Sequence, residues 1–220
     1  MAQFSDLVTS VYNVTKRKDL VNETQQAIIR AIKKEHAAFE YPDDLMIAGP
    51  VSLTASNPDN YRYAVSTTSS GLNLYPTIRK IKYIREVLST INASLYTFNG
   101  YYGELNFEEK AVDNIFDNYN LEALTYYTKV GQTINIVAPR TVSQVAICYY
   151  WTPDMSDVTK YGNPTSGFTD WLADEFDYAI WEHAAAEIFR IIGKDSEFKA
   201  FEQRVMDNRL DIVKAKIGTI

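Results

Sequence analysis

The chain has 220 residues and a mass of 25.1 kDa, enough to bury roughly two-thirds of its unfolded surface, so neither disulfides nor a metal are needed to hold a core. Its 22 basic and 28 acidic residues leave a net charge of −6, which argues against a protein that grips nucleic acid over its whole surface. Cys148 is the only cysteine, which excludes an internal disulfide, and no apolar run approaches the ~20 residues that span a membrane.

The N-terminus, Met1 to Val14, lacks the charged-then-apolar pattern of a signal peptide, and a reducing compartment is expected. Ser5 is placed to cap a first helix to about Thr15, with Leu7, Val8 and Val11 inward. Lys16-Arg17-Lys18 reads as a turn, and Asp19 as the cap of a second helix running to about Phe39. On that helix Val21, Ile28, Ala31, Ile32, Glu35 and Phe39 fall near one face, a stripe that stabilises only if something covers it.

Tyr41-Pro42-Asp43-Asp44 breaks the helix, and the composition then turns to Val, Ile, Thr and Tyr. Strands are expected over Leu45–Leu53, Arg62–Thr67, Arg79–Val87, Tyr96–Phe98, Tyr126–Val130, Thr133–Val137 and Gln144–Trp151. Asn99-Gly100 has the chemistry of a two-residue hairpin turn, and Glu108 to Tyr119 returns to helical spacing through Ala111, Val112, Ile115 and Phe116. Ser156 to Gly167 reads as a loop.

The clearest periodicity comes last. Trp181, Ala184, Ala185, Ile188 and Ile192 form one helical stripe that ends at Gly193, a residue able to take the left-handed conformation of a helix C-terminus. Asp195 then offers an N-cap, and Phe198, Phe201, Val205, Ile212 and Val213 form the stripe of a second helix folded back on the first. These elements predict an α+β protein. A helical bundle from residues 1–40 and 168–220 carries an inserted antiparallel β region, residues 41–167, that contains one short helix.

Phe4-Ser5-Asp6-Leu7-Val8, Tyr12, Thr15, Asp19-Leu20-Val21, Glu23-Thr24, Ile81-Lys82-Tyr83-Ile84-Arg85, Trp171-Leu172-Ala173, Tyr178-Ala179-Ile180, Ala184-Ala185 and Gly193-Lys194-Asp195 stand in this order along the chain. In that order the sequence resembles the head-to-tail adaptor proteins of short-tailed bacteriophages, also called neck or tubular tail proteins. The resemblance implies a virion structural protein without catalytic activity. It implies a ring, of twelve copies, beneath the portal protein, contacting tail tube or nozzle proteins below and letting genomic DNA pass without specific binding. It places the protein in the neck of the virion, and in the host cytoplasm during assembly.

The residues name candidate contacts for such a role. Leu210, Ile212, Val213, Ile217 and Ile220 stay apolar to the end of the chain, where sequences usually become polar, and the resembled family docks its C-terminal segment on the portal. The 16 tyrosines, among them Tyr101, Tyr102 and Tyr126, supply large contact areas with a polar tip. Neighbouring rings in Tyr101-Tyr102, Tyr126-Tyr127 and Tyr149-Tyr150 must take opposite faces of any strand.

Chemistry is sparse. His36 and His183 have no second histidine or cysteine at ligand spacing, so no metal and no cofactor are expected. His183 falls opposite the Trp181–Ile188 stripe, and His36 at the edge of its own. Cys148 with a histidine and a carboxylate would make a small hydrolase, but it sits in an apolar strand where a buried thiol is the ordinary outcome. A cellular interaction domain is a further alternative. Asp170 and Asp174 share a helix face and could hold a cation weakly, although the spacing lacks the glycine and closing glutamate of a calcium loop. On a regular strand Arg79 and Arg85 would face one way with Ile81 and Tyr83, and Lys80 and Lys82 the other way with Ile84. That split weakens a nucleic-acid patch and suits a solvated or edge strand.

Overall fold

The computed structural model describes residues 4–57, 61–66, 78–93, 98–110, 125–153 and 170–218. The chain divides into two units: residues 1–44 with 152–220, which carry the described helices, and residues 45–151, which carry the sheet.

In the helical unit Phe4–Thr15 (α1) and Val21–Ala38 (α2) are followed, after the sheet, by Trp171–Glu175 (α3), Asp177–Ile191 (α4) and Asp195–Lys216 (α5). α4 is the centre, packing against α1, α2 and α5. It can be approached from several sides because Ala179, Ala184, Ala185 and Ala186 let neighbouring backbones come close, while Ile180, Ile188 and Phe189 fill the gaps. The common core adds Leu7 and Val11 from α1, Ile28 and Ile32 from α2, and Ile212 and Val213 from α5. α4 ends as its sequence suggests: Gly193 has φ +71°, and the Lys194 N–H reaches back to the Phe189 carbonyl at 2.9 Å.

The helix starts differ from expectation. Ser5 lies inside α1, and Asp195 is the first residue of α5 rather than its cap. Asp19 precedes α2 and is taken by the Arg17 guanidinium, at 2.8 and 2.7 Å, instead of the helix N–H groups. A two-pronged charged donor two residues away outcompetes a backbone amide.

The sheet unit contains Leu45–Ser52 (β1), Ala55–Asn57 (β2), Arg62–Ser66 (β3), Ile78–Ala93 (β4), Phe98–Glu109 (β5), Tyr126–Val130 (β6), Thr133–Val137 (β7) and Gln144–Trp151 (β8). Its order is β1-β8-β4-β5-β6-β7-β3-β2, antiparallel except for the β5–β6 pair, which is parallel. The predicted architecture is therefore overturned. The protein is mixed α/β with a large curled sheet, not a helical bundle with a small antiparallel insertion. The sheet has its own core, in which Ile81, Ile84, Phe107, Ile136, Val145 and Ile147 meet on one face.

Two strand errors explain much of the difference. Asn99-Gly100 is not a turn: both residues lie in β5, Asn99 pairing with Asn92 and Gly100 with Thr90 of β4. β5 runs on through Gly103, Glu104, Asn106 and Glu108, polar positions that hide its alternation. Glu108 and Glu109, expected to open a helix, close β5, and the rest of that expected helix and the expected loop at 156–167 lie outside the described residues.

Gly103 marks the break in register between β4 and β5. A side chain there would overlap the Glu86 carboxylate, which enters this space and is gripped by both arms of Arg140, at 2.5 and 2.8 Å.

Candidate functional site

Glu35 stands in the apolar stripe of α2 and is fully buried. A carboxylate in such a place requires partners. Arg209 of α5 supplies two hydrogen bonds, at 2.8 and 3.0 Å, and the Nδ1 of His183 on α4 a third at 2.5 Å. Burial alone would raise the Glu35 carboxyl, but the His183 and Arg209 hydrogen bonds outweigh it and hold it below the ordinary glutamate range. With Nδ1 used, His183 keeps Nε2 without a partner among the described residues, and the residue borders a cleft of about 280 Å³.

Lys34, Glu187, Arg190, Phe198, Glu202 and Met206 line much of that cleft, and Arg30 holds Glu187 at 2.8 Å. A carboxylate-oriented imidazole is half of a catalytic arrangement, but among the described residues no serine, threonine or cysteine lines the cleft to act as its nucleophile. The lining, part apolar and part charged, suits docking better than acyl transfer.

A second histidine cluster lies within the helical unit and joins α2 to the start of α3. His36 contacts Asp44 Oδ1 through Nδ1 at 2.7 Å and Asp170 Oδ1 through Nε2 at 3.0 Å, all three side chains being buried. Two carboxylates accept from both ring nitrogens only if the ring is the imidazolium. Burial lowers its pKa, yet the bonds to Asp170 and Asp44 prevail and push it up to about 9. Trp171 Nε1 also donates to Asp44, and Leu172 N to Asp170, which caps α3. Asp170 is thus a cap and a histidine partner. Among the described residues no group of His, Cys, Asp and Glu is placed to hold a metal ion.

The expected contact residues separate by burial. Ile212 and Val213 belong to the helical core, and Tyr126 is buried with the Lys110 ammonium 4.7 Å from its ring centre. Tyr102 is half-buried under Arg85, Tyr101 pairs with Ser89 in the ladder, and Ile220 lies outside the described residues. Leu210 and Ile217 are exposed, and so is Met206. At 100° per residue these three fall within about 40° of one another, forming a stripe along the outside of α5 that begins at the cleft. Lys216 anchors the end of this helix to Asp43 and Glu175 at 2.9 and 2.7 Å.

The basic group is not split. β4 is an interior strand, and register shifts between Ile78 and Lys80 and between Ile81 and Tyr83 change its phase twice. Ile81 and Ile84 both face the core, while Lys80, Tyr83 and Arg85 pair with Tyr150, Cys148 and Ala146. Side chains directly opposed in a ladder share a face, so these cations lie together. Cys148 is buried beneath them, and burial pushes its thiol up against a smaller pull from Tyr83 and Lys82, the reverse of what a nucleophile needs.

Compared with known proteins, the chain matches no protein-family model and no curated protein. Among the described residues no helix is long and apolar enough to cross a membrane.

The Glu35–His183–Arg209 cluster escaped sequence reasoning because its members come from three helices. One signal was available: a glutamate inside an apolar stripe.

Proposed function

We propose that this protein is a head-to-tail adaptor: a virion structural subunit that forms a ring beneath a portal, joins capsid to tail and lets DNA pass. The observation that carries the reading is the exposed stripe Met206–Leu210–Ile217 on a helix otherwise anchored to its own core. Apolar side chains at a common face of a rigid helix are the form taken by helix-in-groove docking. The residues that resemble the adaptor family supply the partner, a portal subunit, and the docking set is Leu210 and Ile217 with Met206 added.

The hydrolase alternative loses support from the same chain. Cys148 is buried with its thiol pushed up, and among the described residues no serine, threonine or cysteine lines the cleft beside His183.

Native mass spectrometry of the purified chain, alone and mixed with the portal ring encoded near its gene, tests the reading. A monomer that adds about one copy per portal subunit is expected, the copies meeting through head-to-tail contacts that close a ring. A portal mass unchanged by mixing overturns it.

A further inference from the structure

We propose that the outer face of β4 is a binding site for the phosphate backbone of nucleic acid, with Lys82 and Arg85 as its principal contacts. The net charge of −6 conceals this face, because four of the 22 basic residues stand within seven positions of one strand. The two register shifts turn them to the same side. Lys80 lies opposite Tyr150 and Arg85 opposite Ala146, while Arg79 and Lys82 converge on the Tyr150 ring at 5.6 and 5.8 Å. Arg85 stacks on Tyr102 at 4.8 Å.

Stacking matters for affinity. A cation held over a ring has lost much of its rotamer freedom before a ligand arrives, so less ordering is required on binding. Lys82 and Arg85 are exposed, and neither forms an ion pair with a carboxylate of the described residues. Arg85 has uncharged neighbours across both ladders, Ala146 on β8 and Asn106 on β5. The one buried carboxylate of β4, Glu86, is held by Arg140.

The spacing favours a polyanion over a single carboxylate. Lys80 to Arg85 covers about 16 Å at strand rise, the axial length of roughly five nucleotides of one strand. A row of cations interleaved with tyrosines is the composition of surfaces that track a nucleic-acid backbone without reading its sequence. Duplex and single strand share this phosphate chemistry.

Fluorescence anisotropy with a labelled duplex of about 30 base pairs, and with one of its strands, tests the site in the full-length chain between about 50 and 200 mM salt. Contacts from two to four cations predict that log K falls with log salt at a slope of about −2 to −4 for duplex. K82E/R85E should weaken binding at least about tenfold at the lower salt and flatten the slope by about 2, while K33E on α2 leaves both unchanged. Lys82→Gln alone, which keeps the stem beside Tyr150, should flatten the slope by about 1 even if the double variant folds poorly. Tighter binding of either probe supports the site and identifies the form it prefers. Absence of binding to both probes at the lower salt overturns it, and so does K82Q with wild-type affinity and slope. Because no portal is involved, this result stands apart from that of the adaptor test.

Discussion

The two units of this protein are held together by different means. The sheet places apolar side chains on one face and, among the described residues, admits a single buried carboxylate, Glu86, with Arg140 beside it. The helical unit buries Glu35, His36, Asp44, Asp170 and Glu182 among its aliphatic residues. Each finds its partner on another helix or at a distant point of the chain, as Glu182 does with Arg204 and Asn208 at 3.3 and 2.7 Å. The contrast has a physical origin. A sheet fixes its register through the backbone ladder, whereas amphipathic helices can slide and rotate against one another. Buried ion pairs that are satisfied in only one arrangement restrict that freedom.

The sharpest way to break the comparison is to remove one ion from the helical unit. His36→Ala leaves Asp44 and Asp170 buried without their shared counter-ion. Urea unfolding followed by helical circular dichroism should show a loss of about 3–5 kcal/mol, a cost typical of an uncompensated buried charge.

Titration examines the same cluster in the wild-type chain. The folded His36 pKa of about 9 exceeds the ordinary 6.5, so between these values the native state holds a proton that the unfolded chain has released. Stability from this group is complete below pH 6.5 and is lost as pH rises through about 9, a change of about 3 kcal/mol. Urea midpoints measured from pH 6 to 9.5 should fall over that interval, and His36→Gln should flatten the decline.

The sheet unit responds to shape rather than charge. Gly103→Ala drives a methyl into Glu86 and should cost about 1–3 kcal/mol through displacement of the carboxylate from Arg140. Thermal unfolding of this variant, compared with Arg140→Met, separates crowding from loss of the ion pair.

The smallest structural effect is expected on the outside of α5. Leu210→Asp should alter stability by no more than about 0.5 kcal/mol, since the side chain is exposed. Under the adaptor reading it should still weaken portal binding at least about tenfold by native mass spectrometry or interferometry, the loss expected of a central apolar contact. Equal binding by Leu210→Asp and wild type would remove α5 from the docking surface.

Much of the secondary structure was legible because it depends on local periodicity. β6, β7 and β8 have the bounds their alternation implies, and α2, α4 and Gly193 follow their stripes and left-handed turn. Tyr149 and Tyr127 enter the sheet core while Tyr150 and Tyr126 take the opposite face, as period two requires. β5 was hidden by its polar positions, and the parallel β5–β6 pair carries no local signature. The candidate sites were less legible still. Exposed Leu210 and buried Val213 look alike in sequence, and only packing distinguishes them.

The sequence by itself indicated a β-rich middle, read as residues 41–167, between helical segments at 1–40 and 168–220, and one thiol in an apolar strand, since each follows from neighbours a few positions away. Tertiary structure alone decided the rest. It brought Glu35, His183 and Arg209 together from three helices and placed His36 between two aspartates 126 positions apart along the chain (170 − 44). It also shifted β4 twice, so that the cations of a strand with alternating faces came to share one. Ion pairing at long range and ladder register arise from which segments meet, and that is set by the whole chain closing its cores rather than by any window of it.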